Sequence, residues 1–517
     1  MRIKIKCKYL IFPINTLSSY KRLTMSCDDG VDYSLNMRLD NISPDFKAYI
    51  DVSRFIGKEI AVSVAPVMDI VCEEADEIDI LELYREPYRP QIHFSTKNGW
   101  INDPNGMIYA DGKYHLFYQH NPCEPMWENM HWGHAVSDDM LHWREEDIAL
   151  FPDKTGMMYS GSAVVDEDNL LGLQTSDEKT IVVYYTATQP YEQYMAYSTD
   201  GLKTLKKTDK PTVPNIFDAN RDPKVIFCEE WDAYAMALYI IHDRFNILRS
   251  KDLVHWEIVQ ELRVEGENEC PDIFPLIADN GERKWVFIGA HDRYLVGDMR
   301  DDGFYPTQEV RSLHFGKSAY AGQSFSGLPD GRIVRMDWMR WYIPTPNING
   351  QMSMPADMSL SYQDGIYYLC AMPIKEIESL YEENIEIGSC ELSAGVAKTI
   401  PLSIAPYTIK LKIDKDLPDH LELMHFGRRV VFGVKENKVI IGDNVSPLTF
   451  SNNGIDLVMI ADRCSLELYL DGGRIYIATV DVSTFCDDNL PYFEIVADKD
   501  CKAENLEIHS MRSIWEE

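Results

Sequence analysis

Apolar and polar residues alternate with a period of two near both ends of the chain, the pattern of half-buried β-strands. In the first zone the alternation runs through Lys47-Ala-Tyr-Ile-Asp-Val52 and Glu59-Ile-Ala-Val-Ser-Val64, parted by a Gly57-Lys58 turn. The earlier run Tyr9-Leu-Ile-Phe-Pro-Ile14 is short, contains Pro13 and precedes no small-residue cleavage site, so it reads as an edge strand and not as the core of a signal peptide. Residues 1–75 are therefore expected to form a small β-sandwich-like domain. Residues 76–90, acidic at first and then carrying Pro87 and Pro90, suit a stiff, extended linker. From 385 to 517 the alternation returns in Tyr407-Thr-Ile-Lys-Leu-Lys-Ile413, Arg429-Val-Val-Phe-Gly-Val434 and Ser465-Leu-Glu-Leu-Tyr-Leu470. With turns such as Asp471-Gly-Gly473, this predicts a C-terminal antiparallel β-sandwich.

Between these zones the sequence repeats. Ser137-Asp-Asp-Met-Leu-His-Trp143, Ser198-Thr-Asp-Gly-Leu-Lys-Thr204 and Ser250-Lys-Asp-Leu-Val-His-Trp256 share a Ser-x-Asp pattern, with starts 61 and 52 residues apart. Each follows a β-like run, so each reads as the same hairpin in successive four-stranded units. Strand-forming units of ~40–60 residues are propeller blades. The 280 residues from about 86 to 365 make five of them at roughly 55 residues each. The predicted fold class is all-β: a five-bladed β-propeller over 91–370, with the small N-terminal β-domain before it and the β-sandwich behind.

Composition narrows the partners. The chain has 50 Lys+Arg against 83 Asp+Glu, a formal net charge of −33. Nucleic acid and anionic membrane surfaces both need a basic face, and this balance opposes one. No run approaches the ~18 consecutive apolar residues of a membrane span. Eleven scattered cysteines with no Cys-x-x-Cys pair predict reduced thiols in a cytoplasmic protein, not a disulfide frame or a zinc site. No metal or cofactor is expected, and the natural partner is a neutral or cationic molecule. The β-sandwich offers a face through which an oligomer could form.

Candidate chemistry sits at the starts of the propeller units. Asp103, in Trp100-Ile-Asn-Asp-Pro-Asn-Gly106, precedes the strand-like Lys113-Tyr-His-Leu-Phe-Tyr-Gln119. Asp222, in Arg221-Asp-Pro223, precedes Lys224-Val-Ile-Phe227, and Glu269, in Glu269-Cys-Pro-Asp272, precedes Ile273-Phe-Pro-Leu276. Their separations of 119 and 47 residues correspond to two blades and one blade. Three acids on innermost strands around one aromatic-rich funnel suit glycoside hydrolysis, which needs one carboxylate as nucleophile or base and one carboxylic acid to protonate the leaving oxygen.

These residues, with Phe117-Tyr-Gln119, His131-Trp-Gly-His-Ala-Val-Ser137 and Tyr159-Ser-Gly-Ser162, resemble in order and spacing glycoside hydrolase family 32, the invertases, inulinases, levanases and fructan exohydrolases. The resemblance covers about 85 to 370, and Asp462-Arg-Cys-Ser-Leu-Glu-Leu-Tyr-Leu-Asp-Gly472 is similar to the family's C-terminal sandwich signature. It implies a retaining hydrolase that releases terminal β-fructofuranosyl units from sucrose or short fructo-oligosaccharides. Asp103 would be the nucleophile, Glu269 the acid/base and Asp222 the ligand of the fructose hydroxyls, with the Asp103 and Glu269 carboxyls about 5–5.5 Å apart. Asn102, Gln119, Trp127, Tyr159, Ser160, Arg221, Cys270, Trp338 and Trp341 are implied as substrate contacts. Departures occur at Asn268, His314-Phe-Gly316, Ala319-Tyr-Ala-Gly-Gln323, Pro344-Thr345 and Met352-Ser-Met-Pro355. None replaces one of the three acids, and together they leave the leaving-group side open. Attack on polymeric inulin or levan, fructosyl transfer, a sister five-bladed arabinosidase or xylosidase, and a non-catalytic sugar-binding relative remain alternatives.

Overall fold

Five antiparallel sheets follow one another from Gly99 to Pro373, forming the blades of a β-propeller. Their innermost strands are Gly99–Ala110, Met158–Asp166, Arg221–Cys228, Asp272–Ile277 and Ala319–Ser324, which contact one another around the axis. The computed structural model describes all residues except 29, 31, 80–82, 341–346, 404–405, 414–416, 448–453 and 516–517. Second strands such as Thr180–Ala187 and Ala233–Ile241 are apolar almost throughout, because neighbouring blades cover both their faces. The ring closes where Ile348–Asn349 pairs in parallel with Gly99 and Trp100 of the first blade.

The repeated Ser-x-Asp segments are the corners between third and fourth strands of the first three blades. In each, the serine hydroxyl donates to the aspartate two residues on, Ser137 to Asp139 at 3.0 Å, Ser198 to Asp200 at 2.8 Å and Ser250 to Asp252 at 3.2 Å. The aspartate in turn accepts downstream backbone N–H groups, those of Leu141 and His142 in the first blade and of Val254 and His255 in the third. The periodicity is thus a local turn chemistry that stops one strand and launches the next.

The N-terminal segment forms two small sheets. Arg2–Lys4, Glu59–Ala65, Lys21–Cys27 and Asp32–Met37 make one, and Phe46–Asp51, Tyr9–Ile14 and Glu73–Ala75 the other. Tyr9–Ile14 is therefore central and not an edge strand. It tolerates Pro13 because Glu73–Ala75 pairs only with Tyr9, Leu10 and Ile11, so the missing N–H lies beyond the end of that ladder. Buried contacts join this unit to the first blade: Arg38 pairs with Glu124, and the Tyr33 hydroxyl donates to His131 Nε2 at 2.7 Å.

The segment expected to be an extended linker instead folds back as turns over 83–88. Fully buried Arg89 holds it there, bonding Glu86, the Ser95 hydroxyl and the Thr96 carbonyl, while the Tyr84 ring stacks on Trp515 at 4.0 Å. Beyond the propeller, a seven-stranded sheet and a six-stranded sheet pack face to face around a core that includes Ile409, Leu457, Leu468, Phe432 and Ile495. His93, wholly buried, fastens this sandwich to the propeller, with Nδ1 2.8 Å from Asp462 and Nε2 2.9 Å from Glu467. Among the described residues no helix is long and apolar enough to cross a membrane.

Candidate active site

Asp103 and Asp222 stand where an innermost strand is irregular, and Glu269 in the loop ahead of the fourth blade's innermost strand. Pairing registers shift between Ile101 and Pro104, between Tyr159 and Gly161, between Arg221 and Lys224, and between Tyr320 and Gln323. A bulge re-aims the side chain it carries, and these four re-aim Asp103, Ser160, Asp222 and the Tyr320 segment. Asp222, Glu269 and Cys270 all have positive φ, at 65°, 48° and 38°. Non-glycine residues pay for that conformation, and here it is held by tertiary bonds such as the Asp222 N–H to the Thr186 hydroxyl at 3.0 Å. Gly161 lets the second strand of its own blade approach, since a Cβ there would stand 1.9 Å from the Tyr184 carbonyl oxygen.

The three carboxyls form one connected group. Asp103 accepts from the Ser160 hydroxyl at 2.6 Å and from Asn102 Nδ2 at 3.3 Å. The Cys270 thiol lies 3.4 Å from both Asp103 Oδ2 and Asp222 Oδ2, and the Cys270 backbone N–H donates to Asp222 at 3.0 Å. Arg221 reaches both Asp222, at 3.7 Å, and Glu269 Oε1. The other oxygen of Glu269 accepts the Tyr320 hydroxyl at 2.8 Å. Burial, then the charge of Asp222 and of Glu269, pushes the Asp103 carboxyl up to about 7, against the bond from Ser160. Burial foremost holds Asp222 at about 6, with Arg221 opposing and Glu269 adding. Burial and the adjacent acids raise the Cys270 thiol, which therefore keeps its proton and acts as a weak donor to the two aspartates.

The remaining sequence candidates divide. Trp127, 47% exposed, sets its ring edge-on to Tyr159 at 6.3 Å, and Tyr159 meets Tyr191 in the same way at 6.1 Å, an aromatic rim over the acids. Asn102 keeps its buried Oδ1 without a partner among the described residues, an acceptor left free. Gln119 is buried and donates to the Met158 carbonyl at 2.9 Å, which ties the first blade to the second. Trp338 stands behind Tyr320 at 6.3 Å, its indole N–H without a partner among the described residues. Trp341 lies outside the described residues, as do Pro344 and Thr345.

Two departures in the motifs resolve in opposite ways. Asn268 belongs to the site, its Oδ1 3.2 Å from the Tyr320 hydroxyl. His314 belongs to the contact with the sandwich: it is buried there and accepts the Ala478 N–H at 3.2 Å. Sequence reasoning passed over Tyr320 as a partner of Glu269 and Thr186 as the anchor of Asp222, since both come from other strands. Among the described residues no cluster of three or more His, Cys, Asp or Glu side chains is arranged to hold a metal ion.

Comparison with known proteins accords with this geometry. Residues 93–371 match the profile of the Glycosyl hydrolases family 32 N-terminal domain. A levanase of Bacillus subtilis is 31% identical over 488 residues, covering 84% of this chain and 72% of its own. A fructan β-fructosidase of Streptococcus mutans is 32% identical over 351 residues, covering 61% of this chain but 24% of its own. The crystal structure of an exo-inulinase from Aspergillus awamori superposes with a TM-score of 0.73 at 25% identity, over 84% of this chain and all of the other. With more than half its length matched to that profile and the propeller-and-sandwich architecture shared, the chain belongs to glycoside hydrolase family 32.

Proposed function

We propose that the protein is a retaining β-fructofuranosidase that removes terminal fructosyl units from sucrose or short fructo-oligosaccharides. The observation that carries this is the meeting of Asp103, Asp222 and Glu269 at the starts of the first, third and fourth blades, joined through Cys270 and Arg221. Asp103 attacks the anomeric carbon and forms an ester. The bond to the leaving oxygen breaks, and that oxygen takes the electron pair and the proton of Glu269. Glu269, now a carboxylate, takes a proton from water, whose oxygen displaces Asp103, and two inversions return the original configuration. Asp222 accepts fructose hydroxyls, and the rim of Trp127, Tyr159 and Tyr191 offers ring faces and edges to the sugar. Eleven free thiols support a reducing, cytoplasmic setting for this work, with sugars already imported as substrates.

The levanase and fructan β-fructosidase relatives favour a second reading, in which longer fructans are trimmed from their ends. Product analysis on sucrose, 1-kestose, inulobiose, inulin and levan separates the two. Wild type should release fructose with retained configuration, fastest from the short sugars. Asp103→Asn and Glu269→Gln should each lose about a thousandfold or more in kcat. Fructose release by both variants at the wild-type rate would overturn the assigned roles.

A further inference from the structure

Trp127, on the aromatic rim over the acids, belongs to the loop 122–130, which joins the second strand of the first blade, Lys113–Asn121, to the third, His131–Ser137. Among the described residues, 124–129 make no backbone–backbone hydrogen bond. Side chains from two domains hold them instead. On the propeller side, Asn121 Nδ2 donates to the Met126 carbonyl at 2.8 Å and Asn349 Nδ2 to the Pro125 carbonyl at 3.1 Å.

The N-terminal domain grips the same loop on either side of Trp127. Three residues before it, buried Glu124 takes the Arg38 backbone N–H on one oxygen, at 2.6 Å, and the Arg38 guanidinium on the other, the partnering that a buried carboxylate requires. Two residues after it, Asn129 sets its side-chain amide against the outer edge of the strand Asp32–Met37. Oδ1 accepts the Asn36 N–H at 2.8 Å and Nδ2 donates to the Asn36 carbonyl at 2.9 Å, the two bonds that a neighbouring strand would make. Asn36 Nδ2 also donates to Glu128 at 3.1 Å, and Cys123 is buried in the apolar core of the N-terminal domain. Trp127 is half-exposed and meets Tyr159 only edge-on, so its ring stands over the acids where its loop is pinned. Asn36 and Arg38 both precede residue 93, at which the match to the family profile begins.

We propose that Asn36 and Arg38 of the N-terminal domain are positioning residues of the active site, which set Trp127 against the sugar by way of Asn129 and Glu124. This rests on the fructosidase reading, in which the ring of Trp127 meets the sugar. Initial rates of fructose release by the full chain test it, on whichever of sucrose and 1-kestose is cleaved faster. Asn129→Gly removes the amide at a position where φ is 50° and glycine is unstrained. Glu124→Gln keeps the shape of the other anchor and removes its charge. Each should raise KM about tenfold and leave kcat within about twofold, the signature of binding lost equally from ground and transition state. Trp127→Ala should raise KM at least as far, and neither anchor variant should raise it further in the Trp127→Ala background. KM does not depend on the fraction of enzyme that is folded, so partial misfolding, which lowers the apparent kcat alone, is told apart from a displaced ring. An unchanged KM in either anchor variant, loss of kcat in its place, full additivity with Trp127→Ala, or a wild-type KM in Trp127→Ala overturns the proposal and leaves the fructosidase reading intact. Absence of fructose from both sugars with the wild-type enzyme overturns both.

Discussion

Asp103 carries its charge against the preference of the fold. Its folded value of about 7 lies above the ordinary 3.8, so between those values the folded chain keeps a proton that the unfolded chain has lost. Stability therefore falls as pH rises through that window, and the full cost remains above it. Asp103→Asn is expected to raise the thermal midpoint by a few degrees at pH 8, corresponding to about 1–2 kcal/mol, and to bring no gain below pH 3.8. On the proposed role, in which Asp103 attacks as a carboxylate, kcat/KM should decline as pH drops through about 7. After burial, Asp222 is the leading cause of the raised value, so Asp222→Asn should move that acid limb to lower pH as well as weaken binding. An acid limb that stayed in place in the variant would mean that the profile reports another group. Asp103, Asp222 and Glu269 were legible in the sequence because each sits in a short motif. Tyr320 as a partner of Glu269 was not, since the bond spans 51 residues and two blades.

At the scale of the element, two local devices recur among the blades. One is the Ser-x-Asp corner, legible as a repeat because all its bonds close within a few residues. Asp139 gathers bonds from Ser137, Leu141 and both the backbone and the ring of His142. Asp139→Ala should cost about 1–2 kcal/mol, read as a lowered urea midpoint. The loss should spare the catalytic pH profile, because the corner lies at the outer edge of the blade. The fourth blade joins its third and fourth strands by the tight hairpin Arg300-Asp-Asp-Gly303 instead, so the repeat fades there although the fold continues. The other device is the bulge on the innermost strand. No residue type announces it, because a bulge is a mismatch between two strands and exists only once they pair.

For the molecule as a whole, His93 is the fastening between propeller and sandwich. Burial disfavours its charge, but the bonds from Asp462 and Glu467 outweigh burial and lift it to about 9. The sign follows directly: the stabilisation is fully present below the ordinary 6.5 and is lost as pH rises through about 9. Asp462, held low by His93 and by the backbone N–H groups of Gln91 and Ile92 despite its burial, loses its share only as pH falls below 3.8. His93→Gln should therefore cost about 3–5 kcal/mol near pH 6, with the gap to wild type closing toward alkaline pH. A gap that is flat from pH 6 to pH 10 in denaturant unfolding of the full chain would show that His93 is not charged.

By itself the sequence determined the all-β class, the repeat shared by the first three blades, the three acids and the strands at either end, because alternation, turn residues and contiguous motifs are written in neighbouring positions. Tertiary structure alone decided that Tyr9–Ile14 is central, that the segment before the propeller folds back on Arg89, that His314 belongs to the sandwich contact, and that Tyr320 stands at Glu269. The physical reason is common to all four. Each depends on which surfaces meet when separate sheets pack, and the partners in such contacts lie far apart along the chain.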